Sequence, residues 1–382
     1  MTDFPYQYID RSDDLEKAVG RLSAYPLIGV DIEGDSLYHY RDRVSLIQIT
    51  GGTENFIIDP LALETVAPLE RLFKDEKIIK VFHGADYDIL SMRRDFNFQV
   101  VSVFDTALAA RASGIKSFSL AHLVALFFNV NLVKKHQKAD WSKRPLPPDQ
   151  LEYACLDTAF LPGIYEKLLP EVEKRGRMDQ MREECDILAG KVPVGREFSA
   201  DSFLKIKGAR DLGIEEQKIL RELMSQRDVL AREKDRPPFK VISNEDLLHL
   251  AKKKPVNDAA LDEAFPRKSS PVHRYPLLWI KAVADGKNAL EPLPEKIRKK
   301  GTPPTPEQEM IFTRVKQWRD AQAVREDLEP AMIFSTDTVR AVSMKKLTCL
   351  EDLANAGVLR NWQIRRYGDE ILSLLNQNAP VL

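Results

Sequence analysis

The segment Pro26-Leu-Ile-Gly-Val-Asp-Ile-Glu33 decides the fold of the front of the chain. It is an apolar run that ends in acids, which predicts a buried strand with carboxylates at its end. Two strand-like segments follow it, Val44-Ser-Leu-Ile-Gln-Ile49 and Asn55-Phe-Ile-Ile-Asp59, on either side of Gly51-Gly52. Because a glycine pair favours a tight turn, these three segments predict an antiparallel meander.

Beyond the meander, strand-like and helix-like patterns alternate to about residue 190, which predicts an α/β domain. Further strands are expected at Ile78–Phe82 and Val100–Val103. Helices are expected at Asp14–Leu22, Leu69–Lys74, Tyr87–Arg94, Thr106–Ala112, Ser119–Phe128 and Pro148–Lys174. A meander followed by strand–helix–strand units favours a ribonuclease-H-like mixed sheet. A dinucleotide-binding fold is disfavoured because no Gly-x-Gly-x-x-Gly follows the first strand.

From about residue 200 the strand signals fade, and a weak repeat appears in which matching residues lie 92 positions apart. The matches are Arg227-Asp228 with Arg319-Asp320, Ala231 with Ala323, Pro238 with Pro330, Ser243 with Ser335 and Lys253-Lys254 with Lys345-Lys346. Each copy has a helix, a proline-containing connection and then a serine placed like a helix N-cap. We therefore expect four regions: an α/β domain at 1–190, a helical domain at 200–290, a Pro- and Lys-rich linker at 291–304 and a second helical domain at 305–382.

The composition of the 382 residues is that of a globular protein, with 43% hydrophobic residues and a net charge of −1. The three cysteines are widely spaced, the N-terminus lacks a secretory pattern, and the most apolar run, Leu120–Val133, is too short to span a bilayer. These features predict a cytoplasmic protein without a membrane partner, and we expect a monomer. Residues 1–200 are acidic and residues 201–382 basic, which suits a metal-using domain followed by a polyanion-binding region.

Three motifs could supply the carboxylates that hydrolysis of a phosphodiester with two divalent ions requires. Asp31 and Glu33 lie two apart on a strand and so share a face. Asp88 lies at a strand-to-helix junction, where its neighbour Asp86 could cap the helix and leave Asp88 to face inward from the first turn. Tyr153 and Asp157 lie four apart, on one face of a helix. Each motif alone is weak, since strand ends and helix surfaces often carry acids.

Together, the order and spacing of the three motifs resemble the exonuclease superfamily named for its Asp-Glu-Asp-Asp carboxylates, in the branch with a tyrosine in its third motif. The match extends to five further segments, which are Val44-Ser-Leu-Ile-Gln48-Ile, Lys80-Val-Phe-His83-Gly-Ala, Phe104-Asp105-Thr106, Ser119-Leu120-Ala-His-Leu and Asp140-Trp-Ser-Lys-Arg144-Pro-Leu. These segments resemble ribonuclease D, and the helical repeat resembles the HRDC domain shared by RecQ-type helicases and ribonuclease D.

The resemblance implies a 3′–5′ exoribonuclease that uses two divalent ions, Mg²⁺ or Mn²⁺, and releases nucleoside 5′-monophosphates. Asp31, Glu33 and Asp157 would hold the tighter ion, Asp88 would act on the second ion, and Tyr153 would orient the attacking hydroxide. The implied substrate is RNA with a single-stranded 3′ end, such as a tRNA precursor. Two alternatives stay open at this point: a DNA 3′–5′ exonuclease, and a nucleic-acid-binding scaffold without catalysis.

A second set of side chains is expected to contact nucleic acid, either by stacking on bases or by meeting backbone phosphates. Tyr38 and Tyr40 lie in an aromatic and basic loop that follows the first acidic motif. Others lie within or near the family-like segments. The set is Tyr38, Tyr40, Gln48, His83, Lys135 and Arg144.

Overall fold

A mixed sheet organises the front of the chain in the computed structural model. Its spatial order is β1-β4-β3-β2-β5-β6. β3 pairs antiparallel with β4, whereas β1 with β4, β2 with β5 and β5 with β6 are parallel pairs. The predicted mixed sheet is therefore confirmed. The strands are β1 (Tyr6–Ile9), β2 (Leu27–Gly34), β3 (Val44–Gly51), β4 (Glu54–Ile58), β5 (Ile79–Phe82) and β6 (Val103–Asp105).

Helices cover both faces of this sheet. They are α1 (Ser12–Leu22), α2 (Glu70–Lys74), α3 (Asp86–Phe96), α4 (Thr106–Ala112), α5 (Leu120–Phe128), α6 (Pro148–Ala159), α7 (Leu161–Lys174) and α8 (Met178–Ala189). The face that carries Ile28, Val30 and Ile32 packs against α1, α2 and α3. The opposite face packs against α4, α5, α6 and α7. β1 and α8 were not predicted, and the strand expected at Val100–Val103 lies at Val103–Asp105 instead.

The single helix predicted at Pro148–Lys174 is two helices, α6 and α7, which meet at Phe160. Pro162 lies in the first turn of α7, where the missing N–H of proline costs no helical hydrogen bond. This junction packs directly on β2 at Gly29. A Cβ atom at Gly29 would lie 2.9 Å from both Leu161 Cβ and the Thr158 carbonyl oxygen. Only a residue without a side chain lets the helices approach the strand this closely.

The predicted duplication is visible as two similar helical copies. The first copy contains α9 (Ile214–Glu233), α10 (Pro238–Val241), α11 (Asn244–Lys253), α12 (Asp258–Ala264) and α13 (Pro276–Asn288). The second copy contains α14 (Pro306–Arg325), α15 (Thr336–Ser343), α16 (Leu350–Ala356) and α17 (Asn361–Asn376). The serines expected to be N-caps have that role, because Ser243 Oγ accepts from Asp246 N and Ser335 Oγ accepts from Thr338 N, each at 3.0 Å.

The structure describes residues 4–133, 135–193, 195, 198–294 and 303–376. They divide into two units. One unit contains the described residues up to Glu33, Val44–Pro193 and the described residues from 303 onward; the other contains Gly34–Arg43 and the described residues from 195 to 294. Most of the predicted linker, at 295–302, lies outside the described residues, as do 1–3 and 377–382. Among the described residues, no helix has the length and apolarity needed to cross a bilayer.

The second helical copy belongs to the same unit as the sheet and packs on α8. Glu183 of α8 accepts hydrogen bonds from the backbone N–H groups of Asn361 and Trp362 at 2.7 and 2.8 Å. The buried Arg177, just before α8, pairs with Glu326. In the other unit, the first copy packs with the loop Gly34–Arg43. The sequence prediction had placed this loop within the 1–190 domain.

Candidate active site

Two carboxylates, those of Asp31 and Glu33, lie near the end of β2. Ile28, Val30 and Ile32 are buried against α1, α2 and α3. Because side chains alternate along a strand, Asp31 and Glu33 point to the opposite face, on which α6 packs. The apolar side of β2 therefore fixes the direction in which both acids point.

The third carboxylate comes from α6. Tyr153 and Asp157 are one helical turn apart, and the Tyr153 hydroxyl forms a hydrogen bond with the Asp157 carboxylate. One carboxylate oxygen from each of Asp31, Glu33 and Asp157 lies within 4.8 Å of the others. This is the spacing that a single cation with oxygen ligands requires, and two strand acids and one helix acid meet to form it.

Asp88 reaches the same region because β5 is shorter than β2. β5 ends at Phe82, and the chain then turns into α3, which begins at Asp86. The Ile32 N–H of β2 donates to Asp88 Oδ1 at 3.2 Å, and the Asp88 and Asp31 side chains share a hydrogen bond. Asp86, by contrast, is exposed, pairs with Lys191 and does not cap α3. Of the two competing aspartates, Asp88 is the one that contacts the acidic cluster.

The cluster lies in the wall of a cavity of about 440 Å³. Asp31, Glu33, Tyr153 and Asp157 line it, whereas Asp88 lies behind Asp31 and is not part of the lining. Apolar side chains, which include Leu120, Leu132 and Val133, line the same cavity as the acids. Sequence reasoning missed Leu132 and Val133, because the segment that carries them has no strand or helix periodicity.

Burial and mutual repulsion dominate the electrostatics of the cluster. Burial raises the pKa of Asp31 to about 6. Burial, and next the charge of Asp31, raise the pKa of Asp88, Asp157 and Glu33 well above the usual range. Burial followed by the charge of Asp157 also raises the pKa of Tyr153, so its phenol keeps its proton at neutral pH. A divalent cation would relieve this repulsion, and hard oxygen ligands suit Mg²⁺ and Mn²⁺.

Two of the residues expected to contact nucleic acid are placed where they could do so. His83 lines the cavity, and its Nδ1 lies 2.9 Å from Thr106 Oγ1. Burial lowers the pKa of the His83 imidazole. Lys135 is exposed and pairs with Asp149 at 2.9 Å. Contact of either residue with a substrate stays a prediction.

The other four residues of that set have different surroundings. Gln48 is completely buried, so its side chain cannot contact a nucleic acid strand that is bound at the surface. The prediction that Gln48 contacts nucleic acid is corrected. Arg144 already donates to both Asp59 oxygens and to the Trp141 and Ser45 carbonyls. The Tyr40 hydroxyl donates to Asp228 Oδ1 at 2.8 Å, and Lys240 Nζ lies 3.9 Å from the centre of the Tyr38 ring. Both tyrosines thus pack within the unit of the first helical copy.

Comparison with known protein families identifies the domains. A family described as 3′–5′ exonuclease matches residues 6–173, and the HRDC domain matches residues 216–283 and 308–375. Both HRDC matches fall on the two helical copies. The exonuclease match contains the entire acidic cluster.

Individual relatives agree with these domains. An exosome complex component 10 homolog of Caenorhabditis elegans is 34% identical over 259 residues, which are 67% of this chain and 30% of that protein. The catalytic core of RRP6 from Trypanosoma brucei superposes with a TM-score of 0.66 at 29% identity, covering 76% of this chain and 82% of that one.

The fold also extends over the whole chain of a third protein. Escherichia coli RNase D superposes with a TM-score of 0.69 at 22% identity, covering 97% of this chain and 98% of that one. The chain spans about a third of the length of the curated relatives that it matches. By these domain matches, the chain has a 3′–5′ exonuclease domain followed by two HRDC domains.

Proposed function

We propose that the protein is a two-metal-ion 3′–5′ exoribonuclease that removes nucleoside 5′-monophosphates from single-stranded 3′ ends of RNA. The observation that carries this proposal is the meeting of Asp31, Glu33 and Asp157 within 4.8 Å in the wall of a cavity. A cavity of about 440 Å³ has the size of a small-molecule site and suits the end of a chain better than its middle.

The carboxylates define where cations would bind. Asp31, Glu33 and Asp157 would hold one divalent ion, Mg²⁺ or Mn²⁺, and Asp31 with Asp88 would hold the second. When bound, such ions stabilise the attacking and leaving oxygens of an in-line displacement at phosphorus. The leaving group would be the 3′ oxygen of the shortened chain, so the released nucleotide keeps its 5′ phosphate.

Tyr153 would position the attacking water. Its phenol is fixed by the hydrogen bond to Asp157 and borders the cavity. Because its raised pKa keeps it protonated, Tyr153 acts through hydrogen bonding of a neutral hydroxyl and not as a phenolate base. Leu120 and Leu132 provide apolar surface on which the terminal base could pack.

RNA is proposed as the substrate because Escherichia coli RNase D, which shares the fold, is described as an exoribonuclease involved in structured RNA processing. The Caenorhabditis elegans relative is described as an exosome complex component 10 homolog. By analogy, we propose tRNA precursors and other structured RNAs with free 3′ ends. Exposed lysines of the helical copies, such as Lys252 and Lys253, would contribute contacts to phosphates.

We further propose that the protein acts in the cytoplasm as a monomer. The three cysteines are free, with Cys155 and Cys185 buried and Cys349 exposed, which fits a reducing compartment.

The test is turnover of a 3′-extended tRNA precursor and of a matched DNA oligomer, with Mg²⁺, with Mn²⁺ and with chelator. We expect stepwise 3′ shortening of the RNA that chelator abolishes. Asp31→Asn should lower kcat at least about 100-fold, because even residues behind metal ligands typically cost 10- to 100-fold. Asp86→Asn is the matched control and should keep wild-type activity, since Asp86 is exposed and outside the cluster. Chelator-resistant turnover, or full activity of Asp31→Asn, would overturn the proposal, and preference for DNA would overturn its RNA part.

A further inference from the structure

Gln48 of β3 is a buried side chain whose hydrogen bonds are unaccounted for. Its exposed fraction is 0%, and neither Oε1 nor Nε2 has a hydrogen-bond partner among the described residues. Burying an amide without partners is unfavourable, and an apolar side chain of similar size would avoid that cost. An orphaned buried amide inside an enzyme domain therefore calls for an explanation.

The strand alternation shows which face Gln48 occupies. Ile47 and Ile49 pack in the cluster that contains α1, α2 and α3. Leu46 packs with Ala154 of α6, and Thr50 Oγ1 lies 2.8 Å from Thr158 Oγ1 of α6. Gln48 lies between Leu46 and Thr50 on this same face. Its side chain is therefore beneath α6, the helix that carries Asp157.

The neighbouring strand places Gln48 beside Asp31. β2 and β3 are adjacent in the sheet, and the connection from Gly34 to Val44 is shorter than the roughly one dozen residues of a parallel crossover, so they run antiparallel. Both strands lie against Thr158, because a Cβ atom added at Gly29 of β2 would lie 2.9 Å from the Thr158 carbonyl oxygen and Thr50 Oγ1 of β3 lies 2.8 Å from Thr158 Oγ1. On this face, a step of two residues along β2 leads from Gly29 to Asp31. Because the strands run antiparallel, the matching step along β3 leads from Thr50 to Gln48.

We propose that Gln48 is a positioning residue of the metal centre, whose amide N–H donates to the Asp31 carboxylate and fixes its orientation when a divalent cation is bound. This inference rests on the proposed function. A metal-ligating carboxylate has lone pairs left over for partners behind it, and such partners commonly orient the ligand. Glutamine suits this place because it donates a hydrogen bond without a positive charge, whereas lysine or arginine would compete with the cation.

The experiment compares Gln48→Leu with Thr50→Val, a control on the same strand face. Calorimetric titration with Mn²⁺ alone gives the metal Kd, and thermal unfolding in chelator gives the Tm of the metal-free protein. For Gln48→Leu we expect a Tm equal to or above wild type and a Mn²⁺ Kd 10- to 100-fold weaker, the usual range for such partners. kcat should fall, while KM for RNA should stay unchanged. Thr50→Val loses its bond to Thr158, so its Tm should fall while its Mn²⁺ Kd stays at the wild-type value.

Several results would separate this inference from the proposed function. If wild type binds Mn²⁺ and Gln48→Leu binds it equally tightly, the positioning role is wrong and the proposed function stands. A Gln48→Leu variant with a lower Tm and an unchanged Kd would show a structural role only. If wild type binds no Mn²⁺ and its turnover resists chelator, the proposed function fails first. Should Gln48→Leu not fold, Gln48→Met, which keeps the unbranched shape, decides by the same two measurements.

Discussion

The two helical copies have the same backbone corner but use it to hold different parts of the chain. α9 and α14 are both 20 residues long and end at Glu233 and Arg325. Each is followed by an aspartate in the left-handed region, with φ of 44° at Asp235 and 51° at Asp327. Each corner is closed by a backbone hydrogen bond of 2.9 Å, from Arg236 N to Ala231 O and from Leu328 N to Ala323 O.

The side chains at these corners differ in what they contact. In the first copy, Asp235 accepts from His39 Nδ1 at 2.6 Å and from Tyr40 N at 3.1 Å, and thereby holds the loop Gly34–Arg43. In the second copy, Glu326 accepts from the buried Arg177 and from the Tyr367 hydroxyl, and thereby holds α8. The residue of the first copy that corresponds to Glu326 is the exposed Lys234.

Inside the copies, in contrast, one buried arginine in each makes matching contacts. Arg227 donates to the Ile242 carbonyl and to Asn244, and Arg319 donates to the Phe334 carbonyl and to Thr336. These partners again lie 92 positions apart. The two copies have thus kept these internal hydrogen bonds. They differ in the outward-facing side chains that contact other parts of the chain.

The largest expected effect is at the corner of the second copy. Glu326→Ala should lower the free energy of unfolding by about 3–5 kcal/mol, because it leaves the buried Arg177 without its carboxylate. Lys234→Ala, at the matching position of the first copy, should change it by no more than about 0.5 kcal/mol. Chemical denaturation of the full chain measures both. Equal effects of the two substitutions would show that the corners do not differ as described.

A smaller decrease in the free energy of unfolding is expected when one tyrosine hydroxyl is removed from the contact that each copy makes. Tyr40→Phe removes the hydrogen bond to Asp228, and Tyr367→Phe removes the hydrogen bond to Glu326. Hydrogen bonds to charged groups contribute about 1.5–3 kcal/mol, so we expect about 1.5 for the half-buried Tyr40 and up to about 3 for the buried Tyr367. Hydrogen exchange of residues 34–43 should become faster only in Tyr40→Phe. Unchanged exchange there would mean that this contact does not hold the loop.

The smallest effect concerns pH. Burial alone would raise the pKa of Glu326, but hydrogen bonds from Gln322 and Tyr367 and the charges of Arg177 and Arg366 outweigh burial and lower it below its ordinary 4.5. A lowered folded-state pKa gives stability that is present above pH 4.5 and is lost as pH falls through the folded-state value. The stability gap between wild type and Glu326→Gln should therefore narrow as the pH falls below 4.5.

Denaturation series at pH 7, 5 and 4 measure this gap. Lys234→Gln, at the matching position of the first copy, is the control, and its pH profile of stability should follow wild type. A gap between wild type and Glu326→Gln that widens on acidification would contradict the assigned direction.

Sequence periodicity predicted much of the sheet and the strand and helix that carry the site residues. Alternation along β2 was enough to place Asp31 and Glu33 on one face, and helical spacing was enough to pair Tyr153 with Asp157. These are local rules, and they work because the apolar neighbours of each acid determine its direction. Such patterns predicted the mixed sheet, whereas the exonuclease domain and the two HRDC copies were expected from the resemblance of the motifs to a known family; all three are confirmed.

The features that were missed depend on contacts between distant residues. β1 has only four residues and is defined by its parallel pairing with β4 some 49 positions later, which leaves little local signal. The docking of Tyr40 on Asp228 joins residues 188 positions apart. Gln48 was taken for a surface contact because nothing in its neighbours reveals that its face is covered by α6. The break at Phe160 could have been predicted, because Pro162 marks a helix start.

In the proposed metal centre, Gly29 would have a consequence for the choice of cation. Because β2 meets the α6–α7 junction with no side chain between them, the separation of Asp31 and Glu33 from Asp157 depends on an atom that residue 29 lacks. Ligand oxygens lie about 2.0–2.1 Å from Mg²⁺ but about 2.3–2.6 Å from Ca²⁺. A single added methyl group would push the helix outward and favour the larger ion. Discrimination by ionic radius in the proposed centre would then be controlled by a residue that touches no ion.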